Sequence, residues 1–203
     1  IYCLKNKYLS HKEITKSMNA NKVLLPSQHA KCGKHLRFKD FFLAGETVKS
    51  INIENQPKNI ETYRAYQELA TNILDKVIDE FGPLNISYGF CSKELETNIL
   101  KKKRPGIAPK IDQHASFEKN SKGDYVCSRK GAAVDFFYDN IDTLTILKWI
   151  VEHCDFDRIY FYGSSRPMHI SISSANSRSI FKMEEINNRR IPKRIGLDFI
   201  LKH

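Results

Sequence analysis

One carboxylate, that of Asp135, lies inside an apolar segment that predicts a buried β-strand. Residues 131–137 read Gly-Ala-Ala-Val-Asp-Phe-Phe, a short apolar run of the length typical of strands. Burying a charged carboxylate is costly unless a cation lies beside it. The fold must therefore place either a metal ion or a Lys or Arg side chain against Asp135. The spacing alone leaves both alternatives open.

Two histidines are candidate partners for Asp135 in a metal site. His114 lies in the polar segment 112–115, which predicts a loop, and His169 lies in 168–172, which predicts a strand. Strand side chains alternate between faces, so Asp135 and His169 can share one wall of a cleft. Two imidazoles and a carboxylate can hold zinc and leave a position open for water or substrate. The residues thus predict a zinc site at His114, Asp135 and His169.

The hydrophobic pattern predicts an α+β fold with a small antiparallel sheet flanked by helices. Helical spacing is clearest before Gly82-Pro83, a pair that ends a helix. A hairpin is indicated around the turn 163–167. The predicted order is helix, strand, helix, loop, strand, helix, strand and strand, at 60–81, 84–90, 92–103, 104–130, 131–138, 142–154, 158–162 and 168–173.

The chain divides into three expected segments. These are an accessory N-terminal segment, a central α+β domain and a basic C-terminal tail, at residues 1–35, 36–178 and 179–203. The first segment contains His29, Cys32 and His35 at ligand-like spacing. Because no fourth ligand lies nearby, we interpret this group as incidental.

Composition favours a folded protein in a reducing compartment. Hydrophobic residues make up 41% of the 203-residue chain, too many for a disordered protein. Five cysteines, an odd number without a Cys-x-x-Cys pair, argue against a disulfide framework. No apolar run reaches the roughly 18 residues of a membrane span, and residues 1–20 lack an apolar leader. We therefore expect a cytoplasmic protein.

The formal net charge of +10 favours acidic partners such as nucleic acid. The excess concentrates in the N-terminal 40 residues, in 101–104 and in 189–194. These basic tracts could bind a phosphate backbone, with aromatic side chains in 160–162 near enough for base stacking. The alternative is that the basic tracts are ordinary solvated faces.

Several motifs follow one another in an order that resembles a known family. They are the lead-in segments 35–42 and 53–57, Phe-Gly-Pro-Leu at 81–84, Tyr-Gly-Phe-Cys-Ser at 88–92, Gln113-His114, Gly-Ala-Ala-Val-Asp at 131–135, Phe-Asp-Arg-Ile at 156–159 and Met-His-Ile-Ser at 168–171. Over about residues 36–175 the chain is similar to the M15 zinc peptidases, which include D-Ala-D-Ala carboxypeptidases and phage endolysins and share a fold with the hedgehog signalling domain. The resemblance implies zinc at His114, Asp135 and His169 and a peptide or amide substrate.

The chain departs from this family at positions that matter for catalysis. A polar insertion, 115–134, separates the first His from the Asp. Arg166 occupies the position of the peptidases' catalytic Glu, and Gly163 that of the hedgehog-type Glu. Cys91 replaces the family's substrate-facing Arg. A metallopeptidase needs a proton acceptor, so the sequence leaves that role without its usual residue.

Other residues are candidates for the missing catalytic roles. Glu118, in the insertion, could swing towards the metal as a base, and so could Asp112 or Asp155. Arg166 could supply positive charge to an oxyanion. The sequence therefore predicts a zinc hydrolase of peptide or amide bonds, with Glu118 and Arg166 as its catalytic residues.

Two other functions remain open at this point. The first is a catalytically inactive module of the same fold that binds nucleic acid or another acidic partner through its basic surface. The second follows from two His-x-Ser motifs, at 114–116 and 169–171, which are similar to those of the two-histidine phosphoesterases. That function needs no metal and leaves Asp135 without a role.

Overall fold

The computed structural model describes residues 24–51, 53–103, 107, 110–186 and 189–202. The first 23 residues, and with them most of the predicted accessory segment, lie outside the described residues. Within the described part, no helix combines the length and the apolar character needed to cross a bilayer.

The strands form one six-stranded sheet in the order β1-β2-β4-β3-β5-β6. All neighbouring strands are antiparallel except β3 and β5, which are parallel. The strands are β1 (Asn85–Tyr88), β2 (Ala132–Phe137), β3 (Arg158–Phe161), β4 (Met168–Ile172), β5 (Ser179–Ile186) and β6 (Arg189–Ile195). The predicted mixture of helices and a mostly antiparallel sheet is confirmed, with more strands than expected.

Seven α-helical segments accompany the sheet in the described residues. They are α1 (Phe38–Phe42), α2 (Glu46–Ser50), α3 (Ile60–Leu69), α4 (Asp75–Phe81), α5 (Lys93–Leu100), α6 (Thr143–His153) and α7 (Leu197–Lys202). A π-helical turn, Ala70–Leu74, joins α3 to α4, so the helix predicted over 60–81 is confirmed with one irregular turn. Asn59 caps its start by accepting a hydrogen bond from Glu61 N, and Gly82 ends it at φ 84°.

The main hydrophobic core joins α1, α3, α4, α6 and α7 to one face of the sheet, and a smaller cluster of Val48, Cys91, Leu95 and Ile99 packs α2 against α5. Val134, Ile159 and Ile170 from three strands are fully buried in the main core, together with Leu69 of α3 and Leu147 of α6. The positions between them along each strand point to the opposite face. This alternation leaves Asp135 and His169 on the second face, as the sequence predicts.

The C-terminal segment 179–202 is part of the domain and not the separate basic tail that the sequence predicts. Residues 179–202 do not form a tail, since β5 pairs with β3 and β6 pairs with β5. Ile180 and Ile200 are each 1% exposed in the common core. Charged residues at most other positions of these strands hide the apolar alternation, which is why the pattern was too weak to predict them.

The residues just after position 23 also belong to the domain. Cys32 is 1% exposed in the core, and Leu25 and Ala30 pack against it. His35 pairs with Asp79 at 2.7 Å instead of joining Cys32 in a metal site. The described cysteines, Cys32, Cys91, Cys127 and Cys154, are free and buried.

Candidate metal centre

Asp135 and His169 meet because their strands are paired in register. Asp135 of β2 lies directly opposite His169 of β4, and directly paired side chains lie on the same face of a sheet. Oδ1 of Asp135 is 2.9 Å from Nδ1 of His169. The His169 side chain is 5% exposed and that of Asp135 is 25% exposed, so the pair is covered but reachable.

His114 approaches the same carboxylate from a short 3-10 turn, Gln113–Ala115. Its Nε2 lies 3.2 Å from Oδ1 of Asp135. Its Nδ1 lies 2.7 Å from the carbonyl oxygen of Gly89, which can only accept a hydrogen bond, so Nδ1 carries a proton. In the neutral ring the lone pair is then on Nε2 and faces the carboxylates, as a metal ligand requires.

Asp112 is the fourth member of the cluster. Its side chain caps the 3-10 turn by accepting a hydrogen bond from His114 N at 3.1 Å. The same oxygen, Oδ1, is 3.6 Å from Nε2 of His114. Asp112, His114 and His169 each offer a ligand atom within 4.8 Å of the others, and the described residues contain no other such group of three.

Buried hydrogen bonds hold the turn that carries His114. The Gln113 side chain, 1% exposed, donates to Oδ2 of Asp157 at 2.8 Å and to the carbonyl of Ile172 at 3.3 Å. The carbonyl of His114 accepts from Cys91 N at 3.0 Å. The turn is therefore tied to the start of β3, the end of β4 and the segment after β1.

The charges of the cluster shift the pKa values of its members in opposite directions. Burial by itself lowers the pKa of His114, but the nearby carboxylates of Asp112 and Asp135 outweigh it and raise that pKa to about 9. Burial by itself raises the pKa of Asp135, but the imidazoles of His114 and His169 outweigh it and hold that pKa well below its usual range. The cluster therefore favours a cation at its centre, which is a proton in the absence of metal.

The donor set fits a small divalent cation. Asp135 lies 2.9 Å from His169 and 3.2 Å from His114, and Asp112 lies 3.6 Å from His114, each between the nearest donor atoms. Such spacings suit atoms that share one ion at zinc–ligand distances of about 2.0–2.2 Å. This cluster could therefore hold a metal ion.

No family model, curated protein or solved structure matches this chain. The resemblance to the M15 zinc peptidases therefore stays a prediction from the order of its motifs. The geometry of the cluster supports metal binding independently of that resemblance.

A cavity of about 350 Å³ opens beside the cluster. Asp135, Tyr88 and Lys102 are among the residues that line it. The Tyr88 ring also contacts the imidazole of His114, with ring centroids 4.4 Å apart. The rest of the wall is mixed, with the polar residues Glu46, Thr47 and Ser87 and the apolar residues Val48, Leu95, Ile99 and Ile107. A molecule bound here would lie against the carboxylate of Asp135.

Glu118 lies away from the cluster. Its carboxylate accepts hydrogen bonds from Lys58 N at 3.2 Å and from Oγ1 of Thr62 at 3.0 Å. These partners belong to the first turn of α3 and the residues before it, where a carboxylate also complements the helix dipole. Its contacts thus assign Glu118 a capping role, in place of the catalytic role that the sequence suggested.

Arg166 and Asp155 also lie outside the cluster. Arg166 is exposed in the turn between β3 and β4, and in the described residues its guanidinium makes no hydrogen bond or ion pair. Asp155 is 81% exposed and pairs with Arg178 at 3.1 Å. Of the carboxylates proposed for a catalytic role, Asp112 alone reaches the metal-binding group.

The remaining departures from the M15 pattern leave neutral groups at the site. Burial raises the pKa of the Cys91 thiol to about 12, so the side chain that stands in place of the family's Arg stays protonated and neutral. The His-x-Ser hydroxyls point elsewhere, since Ser116 donates to the carbonyl of Gly131 and Ser171 donates to that of Arg158. The geometry therefore favours a metal site over the phosphoesterase arrangement.

Sequence reasoning missed the residues that support the cluster. Asn55 is 1% exposed and donates to the carbonyls of Phe42 and Phe90 at 2.7 and 2.8 Å, while it accepts from Ser92 N at 2.9 Å. It thereby ties the segment directly after Gly89, whose carbonyl lies against His114, to the end of α1. A lone Asn in a polar connector gives no pattern from which this role could be read.

Proposed function

We propose that the protein is a zinc-dependent hydrolase of peptide or amide bonds. The observation that carries the proposal is the group of Asp112, His114 and His169, whose possible ligand atoms lie within 4.8 Å of one another, together with Asp135, whose Oδ1 contacts both imidazoles. A mixed imidazole and carboxylate set with access from a cavity is typical of catalytic zinc sites. The resemblance of the motifs to the M15 peptidases supports the same reaction class.

In this proposal His114, Asp135 and His169 hold the ion. When bound, zinc lowers the pKa of a water molecule towards neutrality and polarises the scissile carbonyl. The hydrogen bond from Nδ1 of His114 to Gly89 keeps Nε2 directed at the ion. Register between β2 and β4 fixes Asp135 against His169, so little ordering is needed when the ion binds.

Asp112 is the proton acceptor that we propose in place of the family's Glu. Its carboxylate lies 3.6 Å from His114 Nε2. The Asp112 side chain is 22% exposed, so water can reach it. A carboxylate at this place can take a proton from the attacking water and pass it to the leaving amine. Its backbone hydrogen bond to the 3-10 turn keeps it at the edge of the cluster.

Metal content of the purified protein and its variants tests the metal site. We expect near one zinc per chain by native mass spectrometry. Zinc should be lost in His114→Ala, Asp135→Asn and His169→Ala and kept in the surface controls His153→Ala and Asp155→Asn. A well-folded parent protein without affinity for zinc, or ligand variants that retain it, would contradict the proposal.

The Asp112→Asn variant separates a proton acceptor from a fourth ligand. We expect this variant to bind zinc with an affinity close to that of the parent protein. Loss of zinc would instead make Asp112 a ligand and remove it as the base. Hydrolysis of a purified muropeptide by the zinc-loaded parent, abolished in this variant, would support the peptidase step. Intact muropeptide and casein-derived peptides after prolonged incubation would count against it.

A further inference from the structure

A single row of paired residues crosses the second face of the sheet from the metal cluster to the far edge. Asp135 pairs with His169, His169 with Tyr160, Tyr160 with Phe181 and Phe181 with Arg194. Because paired residues share a face, all five side chains lie on the side opposite the hydrophobic core. The row starts acidic at the cluster, becomes aromatic at its centre and ends in an arginine.

The aromatic part of this row contains one edge-to-face contact and one stacked pair. The rings of His169 and Tyr160 have centroids 5.1 Å apart. Tyr160 and Phe181 are stacked, also at 5.1 Å, with 19° between their planes. Both Tyr160 and Phe181 are partly exposed. Phe161, in contrast, is 8% exposed in the core, which removes it from the stacking residues that the sequence suggested.

Arginines accompany the aromatic rings on the same face. The guanidinium of Arg158 lies 5.7 Å from the centroid of Phe181, and that of Arg190 lies 5.8 Å from the centroid of Tyr162. Arg190 and Arg194 are both exposed on the edge strand β6. Glu185 lies opposite Arg190 and Asp157 lies 3.9 Å from Arg158, so the three arginines exceed the two carboxylates beside them by one charge.

The positive charge available to a ligand is mainly that of Arg190 and Arg194, which are exposed on β6. Arg158 contributes less, because its Nε is buried and lies 3.9 Å from Oδ2 of Asp157 in an ion pair. Arg129 adds a further positive group, since it donates to the hydroxyl of Tyr160 at 3.3 Å. A partly exposed aromatic patch bordered by the exposed guanidinium groups of Arg190 and Arg194 is not needed for packing.

We propose that this surface, formed by Arg158, Tyr160, Tyr162, Phe181, Arg190 and Arg194, binds single-stranded nucleic acid. Its guanidinium groups complement a phosphate backbone, and its rings offer edges and faces to unpaired bases. The net charge of +10 adds attraction at longer range. The aromatic–arginine surface is separate from the proposed hydrolase function and does not depend on a bound metal.

The opposite face of the β5–β6 hairpin supplies a matched control. Lys182 and Lys193 occupy directly opposite positions on β5 and β6. Both are exposed, and they lie on the core side of the hairpin. Replacing them removes the same formal charge as replacing Arg190 and Arg194 on the aromatic side. A difference between the two double variants therefore reports the face that binds and not the total charge.

Fluorescence anisotropy with a labelled oligothymidylate of about 16 nucleotides tests the proposal on the full chain. We expect Arg190→Gln/Arg194→Gln to weaken binding about tenfold and to reduce the salt slope by about 0.7 for each phosphate that the protein no longer neutralises. Lys182→Gln/Lys193→Gln should change affinity by less than about threefold. Phe181→Leu should weaken binding while leaving the salt slope unchanged, since it removes a ring and no charge.

Several outcomes would overturn this assignment. They are an absence of binding at low salt, equal weakening in the two double variants, and equal affinity for polyglutamate, which would indicate an acidic polypeptide as the partner. The Asp135→Asn variant, which should lose zinc, is expected to keep oligonucleotide binding. Failure of the metal site and failure of the aromatic–arginine surface can therefore be told apart.

Discussion

Oδ1 of Asp135 lies 2.9 Å from Nδ1 of His169, and the two residues are direct partners across β2 and β4. The same oxygen lies 3.2 Å from Nε2 of His114. One carboxylate oxygen thus contacts two imidazoles, one held by the sheet and one by a 3-10 turn. Because both supports are rigid and hydrogen-bonded, the donor atoms are already converged before an ion binds, which lowers the ordering needed on binding.

The metal-free protein should become less stable as the pH rises above neutrality. The pKa of His114 is raised from 6.5 to about 9 in the folded state, so its stabilising effect is complete below about 6.5 and is lost as the pH approaches 9. We expect a loss of about 3 kcal/mol over this interval, since a tenfold change in a protonation equilibrium corresponds to about 1.4 kcal/mol. Urea unfolding at a series of pH values in the presence of a chelator measures it.

The control for this pH dependence is His114→Gln, which keeps a polar side chain but cannot take up a proton. Its free energy of unfolding should vary less with pH over the same interval. A parent protein whose stability is flat there, or a variant with an unchanged profile, would contradict the assignment of the shift to His114. Addition of zinc should also flatten the parent's profile, because the ion replaces the proton.

The start of β2 depends on a glycine that no other residue can replace. Gly131 has φ +87°, and a Cβ at this position would lie 1.8 Å from the carbonyl oxygen of Ile172. We expect Gly131→Ala to destabilise the protein by about 3 kcal/mol or more through backbone strain and overlap with β4. Gly123 has a similar φ of +88° but open space around it. Gly123→Ala should therefore cost about 1 kcal/mol in the same urea unfolding experiment, and equal losses would show that overlap is unimportant.

Asn55 should stabilise both the fold and the metal site. Asn55→Ala leaves the carbonyls of Phe42 and Phe90 and the N–H of Ser92 without their buried partner, which we expect to cost about 3 kcal/mol. Because Phe90 and Ser92 directly follow Gly89, whose carbonyl lies against His114, zinc affinity measured by calorimetric titration should fall as well. The exposed Asn72 is a suitable control, and Asn72→Ala should leave both quantities unchanged. If Asn55→Ala lost stability but bound zinc as tightly as the parent protein, Asn55 would support the fold and not the metal site.

The sequence was sufficient for those elements whose pattern is local. The helix Ile60–Phe81 follows from its apolar spacing and the terminal Gly82, and the β3–β4 hairpin follows from two apolar runs around a turn. Strand alternation predicted that Asp135 and His169 can share a face, whereas the place of His114 beside them was expected mainly from the resemblance, because no strand register fixes a loop residue.

Other features depend on tertiary contacts that leave no local signal. β5 pairs with β3 in parallel, and its charged residues obscure the alternation that would mark it as a strand. Glu118 and Asp112 are both acidic residues near His114 in sequence, but the reversal of the chain after Ala115 directs Glu118 to α3 and leaves Asp112 at the cluster. Which of two nearby carboxylates reaches a site is set by such turns, and composition and spacing do not encode it.

Glu118 should affect stability in a pH-dependent manner without affecting the metal site. Burial raises the pKa of its carboxyl above the ordinary value of 4.5, against the lowering effect of hydrogen bonds from Thr62 and Lys58. The folded state therefore favours the protonated form, and stability contributed by this group is lost as the pH rises through the raised pKa. Glu118→Gln removes the titration and keeps an oxygen acceptor. The variant's stability relative to the parent should increase as the pH rises above 4.5, as urea unfolding would show.

Glu118→Ala provides the comparison that separates charge from hydrogen bonding. This variant leaves Lys58 N and the Thr62 hydroxyl without their acceptor, so it should be less stable than the parent by about 1–3 kcal/mol at neutral pH. Both variants should bind zinc as the parent does, because the carboxylate of Glu118 is directed at α3. If Glu118→Gln instead lost zinc or hydrolytic activity while remaining folded, the residue would have to reach the cluster in solution, and its assignment as a helix cap would be wrong.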